Sequence, residues 1–239
     1  MITELGEQGS GWQIGDEVVG WVDTRSSHAE YAAVPVEHLV AKPPSLPWTV
    51  GGALFVAGST AWAAVRAVDP RRGETVVVSG AAGGVGGLVA QLAVERGATV
   101  LGLAGAANHA WLKDHGVLPV DYSGASEAVA GRIRDTAPEG VDAFVDTFGL
   151  GYVDLAVDLG VAPERIDTII DFAAAARYGV RTAGSADGAN AADLSELVTR
   201  LADGRLELPV AATYPLAAVQ DAYAQLEQRH TRGKIVLLP

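Results

Sequence analysis

Three glycines spaced three apart, Gly80, Gly83 and Gly86, lie in the run Ser79-Gly-Ala-Ala-Gly-Gly-Val-Gly-Gly, which offers a ligand backbone in place of side chains. Glycine at such a turn permits a tight bend, lets main-chain N–H groups approach a phosphate, and lets a following helix pack close to a preceding strand. The N-terminus of that helix adds partial positive charge. The pattern fits the pyrophosphate of a dinucleotide, against the plainer reading of a tight turn that holds no ligand. A Walker-type phosphate loop is excluded, since no Gly-Lys-Ser/Thr follows.

Which dinucleotide is meant is decided about 20 residues further on, where an NAD site places Asp or Glu on the ribose 2′-hydroxyl. Here the next strand-like run ends in Leu101-Gly-Leu-Ala-Gly-Ala-Ala-Asn-His-Ala110, with no carboxylate. A carboxylate there would repel a 2′-phosphate, so its absence favours NADP(H) over NAD(H). His109 has two readings, a donor to that phosphate or a solvated histidine at a helix start. Tyr122 has two as well, a hydroxyl beside the same phosphate or ordinary packing.

The elements that must position these residues follow from hydrophobic period. Glu74-Thr-Val-Val-Val-Ser79 is a β-branched run of the kind that makes a buried parallel strand, and the residues after the glycines take a helical period, with Val85, Leu88, Val89, Leu92 and Ala93 on one face and Gly97 as its stop. Strand-like runs at Thr99–Ala104, Val117–Tyr122, Val141–Asp146 and Arg165–Asp171 then alternate with helix-like ones at Asn108–His115, Ala125–Ala137 and Tyr152–Leu159. Alternation of this kind predicts an α/β fold, a doubly wound parallel sheet covered on both faces. Before residue 45 come short β-like pieces, Gly15–Gly20 and His28–Pro35, and then a proline-rich linker, Lys42–Pro47. Leu206–Thr213 and Lys234–Leu238 are again strand-like around a helix at Leu216–Gln228. The expected division is a β lobe over 1–45, a dinucleotide-binding domain over 46–205 and a return to the lobe over 206–239.

Composition excludes several functions. The chain of 239 residues carries a formal charge of −12 with only three lysines, which argues against a nucleic-acid surface. It has no cysteine, so disulfides, thiolate zinc sites and a cysteine nucleophile are excluded. No apolar run in the sequence approaches the roughly 20 residues needed to span a bilayer, and no signal-like segment opens the chain. The expectation is a cytoplasmic protein with no membrane partner.

The glycine loop, with Gly15-Asp-Glu-Val18, Ala29-Glu-Tyr31, Ser59-Thr-Ala-Trp62, Asp146-Thr-Phe-Gly149 and Arg232-Gly-Lys-Ile-Val236, resembles the medium-chain dehydrogenase/reductase superfamily. The branch it is most similar to is the zinc-independent NADPH:quinone oxidoreductases of the zeta-crystallin type. The resemblance runs from about Leu5 to the C-terminus and implies a Rossmann-type sheet with a GroES-like β lobe. It also implies that Gly80, Ala81, Ala82, Gly83, Gly84, Val85 and Gly86 hold the pyrophosphate. Thr60 matches a threonine near the nicotinamide, Thr147 follows the fourth strand beside the cofactor, and Ile170, Asp171 and Phe172 match the strand end that lines the nicotinamide pocket. His109 stands where the family has a lysine on the 2′-phosphate, and Tyr122 matches its tyrosine partner.

Family members have a longer β lobe, so the lobe here is expected to be truncated and the substrate cleft to lack a wall. The expected function is hydride transfer from NADPH to a quinone or an α,β-unsaturated carbonyl. The alternative is a non-redox NADP-binding module serving as sensor, scaffold or cyclase partner. No catalytic residue and no metal are assigned. His28, Glu30 and Tyr31 are read as structural or solvated, and Asp146 and Asp171 as touching ribose or capping helices. The resemblance further suggests a homodimer, paired through an edge strand at Tyr178–Ala183, against the plainer reading of a monomer whose edge strand is blunted by Arg181.

Overall fold

The computed structural model describes residues 1–6, 11–24, 28–229 and 231–239. Two compact units divide the chain, one spanning Ser59–Gly188 and the other built from Met1–Gly58 and Ala189–Pro239.

The Ser59–Gly188 unit holds the parallel sheet. Its strands are β3 (Thr75–Val78), β4 (Thr99–Leu103), β5 (Leu118–Val120), β6 (Ala143–Asp146) and β7 (Ile166–Thr168), ordered β5-β4-β3-β6-β7 and all parallel. The order reverses direction at β3, which places a crevice at the carboxyl ends of β3, β4 and β6. β3 reads Thr-Val-Val-Val, and its three valines are fully buried, as a central strand covered on both faces requires. Helices fill the connections: α2 (Gly86–Glu95), α3 (His109–Asp114), α4 (Ser126–Thr136), α5 (Tyr152–Asp158) and α6 (Phe172–Tyr178). One face of the sheet packs Leu101, Leu103 and Phe144 against Val129, Ile133, Val153 and Leu155. Leu88, Val89 and Leu92 of α2 are buried as the helical period predicts, and Gly97 follows the last turn with φ +85°.

The run 178–183 does not form the expected edge strand. Tyr178 ends α6, Gly179 caps it in the left-handed region at φ +70°, and Arg181 makes one isolated parallel bridge to Asp167. The surface on which a homodimer was expected to pair is therefore not a strand.

In the other unit, β1 (Val18–Gly20) pairs antiparallel with β2 (Leu39–Ala41), and β8 (Val210–Pro215) pairs parallel with β9 (Lys234–Leu238). His28–Pro35 forms no strand, contrary to its β-like reading. Lys42 is buried, bonds Glu17 at 2.9 Å and stacks its ammonium over Trp48. Helices α7 (Ala191–Ala202) and α8 (Val219–Glu227) complete it. α7 contacts β2, and Leu197 meets Leu54 at Gly58. That packing takes α7 out of the expected dinucleotide domain, so the units divide after 58 and after 188 and not after 45 and 205.

Helix α1 (Trp48–Val68) has no counterpart in the sequence-based reading. It overturns the expectation that no apolar run approaches a bilayer span: its 21 residues are long and apolar enough by length and composition, yet 56% of that apolar window is buried within the protein, as in a core helix. It is apolar nearly all round, and without a polar face its period is hard to see.

Candidate functional site

The glycine loop leaves β3 at Ser79 and reaches α2 at Gly86. Gly80 takes φ +60°, and the N–H of Gly83 donates back to its carbonyl at 2.8 Å. A Cβ on Gly86 would stand 2.3 Å from the Gly80 carbonyl oxygen and 2.8 Å from the Thr147 hydroxyl, and one on Gly80 would stand 2.8 Å from that same hydroxyl. These two glycines are thus demanded by a threonine arriving from β6 as much as by any ligand. Ala81 and Ala82 are buried beneath the loop, and the Ala81 N–H donates to Leu103 at the end of β4. The crest that meets solvent is Gly83, Gly84 and Val85. Val85 caps α2 without a side-chain hydrogen bond, and of the first-turn donors the Gly87 N–H is already taken by the Gly83 carbonyl at 2.9 Å, so the open part of the donor set lies around Gly84–Gly86. That donor set suits an anionic group approached by backbone alone.

Asp146, at the carboxyl end of β6, is fully buried and neither touches solvent nor caps a helix. Its Oδ1 accepts from the Ser79 hydroxyl at 2.6 Å and from the N–H groups of Phe148 and Gly149 at 3.0 and 2.9 Å; its Oδ2 accepts from the Thr168 hydroxyl at 2.8 Å. The ribose-contact and cap readings of Asp146 are therefore replaced by an internal one. Thr147 is tied to the same place, its N–H donating to Ser79 Oγ at 2.9 Å and its hydroxyl to the Ser79 carbonyl at 2.7 Å. Thr168 Oγ1 accepts the N–H groups of Ile170 and Asp171, and Asp171 does cap α6, accepting from the Ala174 N–H at 3.0 Å. Beyond these fixed points the chain presents apolar side chains: Leu150, Ile170 and Phe172 are 77%, 52% and 61% exposed. Leu150 holds φ +59° between Gly149 and Gly151 at +80° and +87°, three consecutive left-handed residues that thrust the loop outward. Thr60 is buried within α1.

At the β4 and β5 ends the arrangement is looser. His109 opens α3 and is half-buried; its Nε2 lies 3.0 Å from the Ala104 carbonyl, which only accepts, so that nitrogen carries the proton. The neutral ring then offers an acceptor at Nδ1, and a second N–H for a phosphate exists only in the protonated ring. Tyr122 is exposed and lies over Gly105, its ring 6.5 Å from that of Phe148, which in turn meets Tyr152 edge-on. Burial first, then Tyr122 and Asp146, push the Tyr152 hydroxyl up to about 12. Arg132 of α4 fastens the loop on both sides of Tyr122, donating to the carbonyls of Asp121 and Ser123. The Asp121 carboxyl is held below its usual range by hydrogen bonds from Ser123, then by the charges of Arg132 and His109. Arg132 and Asp121 carry no local signature; only the meeting of β5 with α4 shows them.

Buried Asp167 of β7, also unannounced by the sequence, bonds the Ala183 N–H at 2.7 Å through Oδ1 while its Oδ2 has no partner. Burial, opposed by that bond and reinforced by the charge of Asp187, raises its carboxyl to about 6. In the small lobe, His28 stands 6.4 Å from the Tyr223 ring, and Tyr31 is exposed.

A doubly wound parallel sheet with an uncapped glycine loop at its switch point defines a dinucleotide-binding oxidoreductase fold. Residues 114–237 match the family described as zinc-binding dehydrogenase. The chain belongs to that family, within the quinone oxidoreductase branch of the medium-chain dehydrogenases/reductases. It is 26% identical to a probable quinone oxidoreductase of Schizosaccharomyces pombe over 95% of this chain and 74% of that one. It is 28% identical to a 2-methylene-furan-3-one reductase of Solanum lycopersicum over its whole length, spanning 61% of that protein. The solved quinone oxidoreductase from Coxiella burnetii superposes with a TM-score of 0.82 at 27% identity, covering 98% of this chain and 75% of that one. A mycobacterial protein solved with NADPH superposes at 0.71 and 25% identity, covering 86% and 69%. The donor set does not fit zinc despite the family's description: the chain has no cysteine, and among the described residues no three His, Asp or Glu side chains cluster to hold a metal.

Proposed function

We propose that the chain is an NADPH-dependent reductase that works without zinc and delivers hydride to a quinone or an α,β-unsaturated carbonyl. The observation that carries this reading is the uncapped start of α2 behind the Gly83–Val85 crest, at the switch point of the sheet, with no acid at the end of β4. The cofactor supplies the hydride, and the chain supplies place and surroundings. The Gly80–Gly86 loop would receive the pyrophosphate, and His109 and Tyr122 the 2′-phosphate. Thr147 and Asp171 would set the loops from beneath, with Thr60 on the inner wall. Ile170 and Phe172 would give the acceptor an apolar face. A quinone that receives the hydride needs one further proton to become the hydroquinone, and solvent can supply it, so no acid or base residue is required. The reading includes a cytoplasmic homodimer with a small-molecule substrate and neither membrane nor nucleic acid as partner.

The openness of Leu150, Ile170 and Phe172 favours a second reading, an NADP-binding module without turnover. One experiment separates the two: fluorescence titration with NADPH and NADH, then addition of 9,10-phenanthrenequinone while NADPH absorbance is followed. Preferred binding and consumption of NADPH supports the reductase; binding without consumption across quinones and enones supports the module; no binding of either nucleotide rejects both.

A further inference from the structure

We infer that Asp146 is a positioning residue that couples the pyrophosphate loop to the nicotinamide wall, so that ordering one orders the other. The inference rests on the cofactor placement proposed above. It starts from the division of labour between the two carboxylate oxygens. Oδ1 serves the glycine-loop side, through Ser79 and the turn at Phe148 and Gly149. Oδ2 serves the β7 side alone, through Thr168. Ser79 passes the linkage to Thr147, whose hydroxyl sits against Gly80 and Gly86. Thr168 passes it to the N–H groups of Ile170 and Asp171, the two residues that begin the exposed wall. One buried carboxylate thereby accepts from Ser79 after β3, from the turn after β6 and from Thr168 of β7. Charge-assisted bonds in a dry site are strong and mutually reinforcing, and a half-satisfied network of this kind is costly. The three loops therefore share one arrangement.

Asp146→Asn cuts this network at one place. Two backbone N–H groups and a hydroxyl converge on Oδ1, which fixes the amide oxygen on that side and turns the NH2 toward Thr168. There it competes with Ile170 and Asp171 for the Thr168 oxygen. The glycine-loop branch survives and the nicotinamide branch loosens.

Hydrogen exchange of the free and NADPH-bound chain tests this, alongside steady-state turnover of 9,10-phenanthrenequinone. In Asp146→Asn, exchange at 169–172 is expected to rise about tenfold while 80–86 changes less than about threefold, with kcat falling about tenfold at a nearly constant NADPH Kd. NADPH should protect 169–172 in the parent chain and not in the variant. Thr168→Val removes the same branch from its other end and should reproduce the pattern if the asparagine variant fails to fold. Ser79→Ala should do the reverse, raising Kd with a smaller effect on 169–172. Equal loosening of both loops, or none, overturns the coupling. If the parent chain does not bind NADPH, the cofactor reading fails, yet the exchange pattern of the free variants still decides for or against the coupling.

Discussion

The two ends of the crevice are built differently. At β3, β6 and β7 the loops are locked: Asp146 and Ser79 are wholly buried, their polar atoms are paired, and glycine is forced at 86 by the Gly80 carbonyl and at 80 by its left-handed backbone and the Thr147 hydroxyl. At β4 and β5 the residues expected to meet the 2′-phosphate are half-buried His109 and exposed Tyr122, with Asp121 near enough to lower the charge balance there. The locked end can change only by breaking, because close packing leaves no slack. The open end can be altered one side chain at a time, which makes cofactor choice the cheaper property to change.

The largest expected effect breaks the locked end. Gly86→Ala places a methyl 2.3 Å from a carbonyl oxygen. It should abolish measurable NADPH binding and destabilise the fold by about 2–4 kcal/mol, read from urea unfolding and fluorescence titration. Retained binding would show that the loop has slack and dissolve the contrast.

Next comes a buried carboxyl of this region that is left half-paired. Asp167 titrates at about 6 against an ordinary value of 3.8. Because its folded value is raised, stability is full below pH 3.8 and is lost as pH rises through about 6, by roughly 2–3 kcal/mol in total. Asp167→Asn should flatten the stability profile between pH 4 and 7.5 by about that amount. An unchanged pH dependence would mean that the carboxyl is paired in solution.

The open end should respond more gently and selectively. His109→Lys replaces a ring committed to Ala104 by a permanent cation and should tighten NADPH about fivefold to tenfold with NADH unchanged, since one charge-assisted bond contributes about 1 kcal/mol or somewhat more. Tyr122→Phe should weaken NADPH about twofold to fivefold, again sparing NADH. Equal effects on the two nucleotides would move the 2′-phosphate away from these residues.

Much of this was legible in the chain order. The strand, glycine loop and helix at 75–95 are written in a short β-branched run, a turn and a 3.6-residue period, all of them local signals. Helix α1 has no such signal because a helix that is apolar nearly all round, with Gly51 and Gly52 in it, shows no polar face. The run 178–183 resembled a strand because its residues favour one, but Gly179 ends a helix there and leaves room for a single bridge.

Residue type and near spacing are enough to set the alternation that makes a parallel sheet, the glycine loop, the missing acid after β4 and the absence of thiolate ligands. Tertiary structure alone decided what the glycines face, where Asp146 points and how His109 spends its proton. Ser79 and Asp146 are 67 residues apart, and Asp146 and Thr168 another 22. Partners so distant meet only once β6 has taken its place between β3 and β7, and no local period records that neighbourhood.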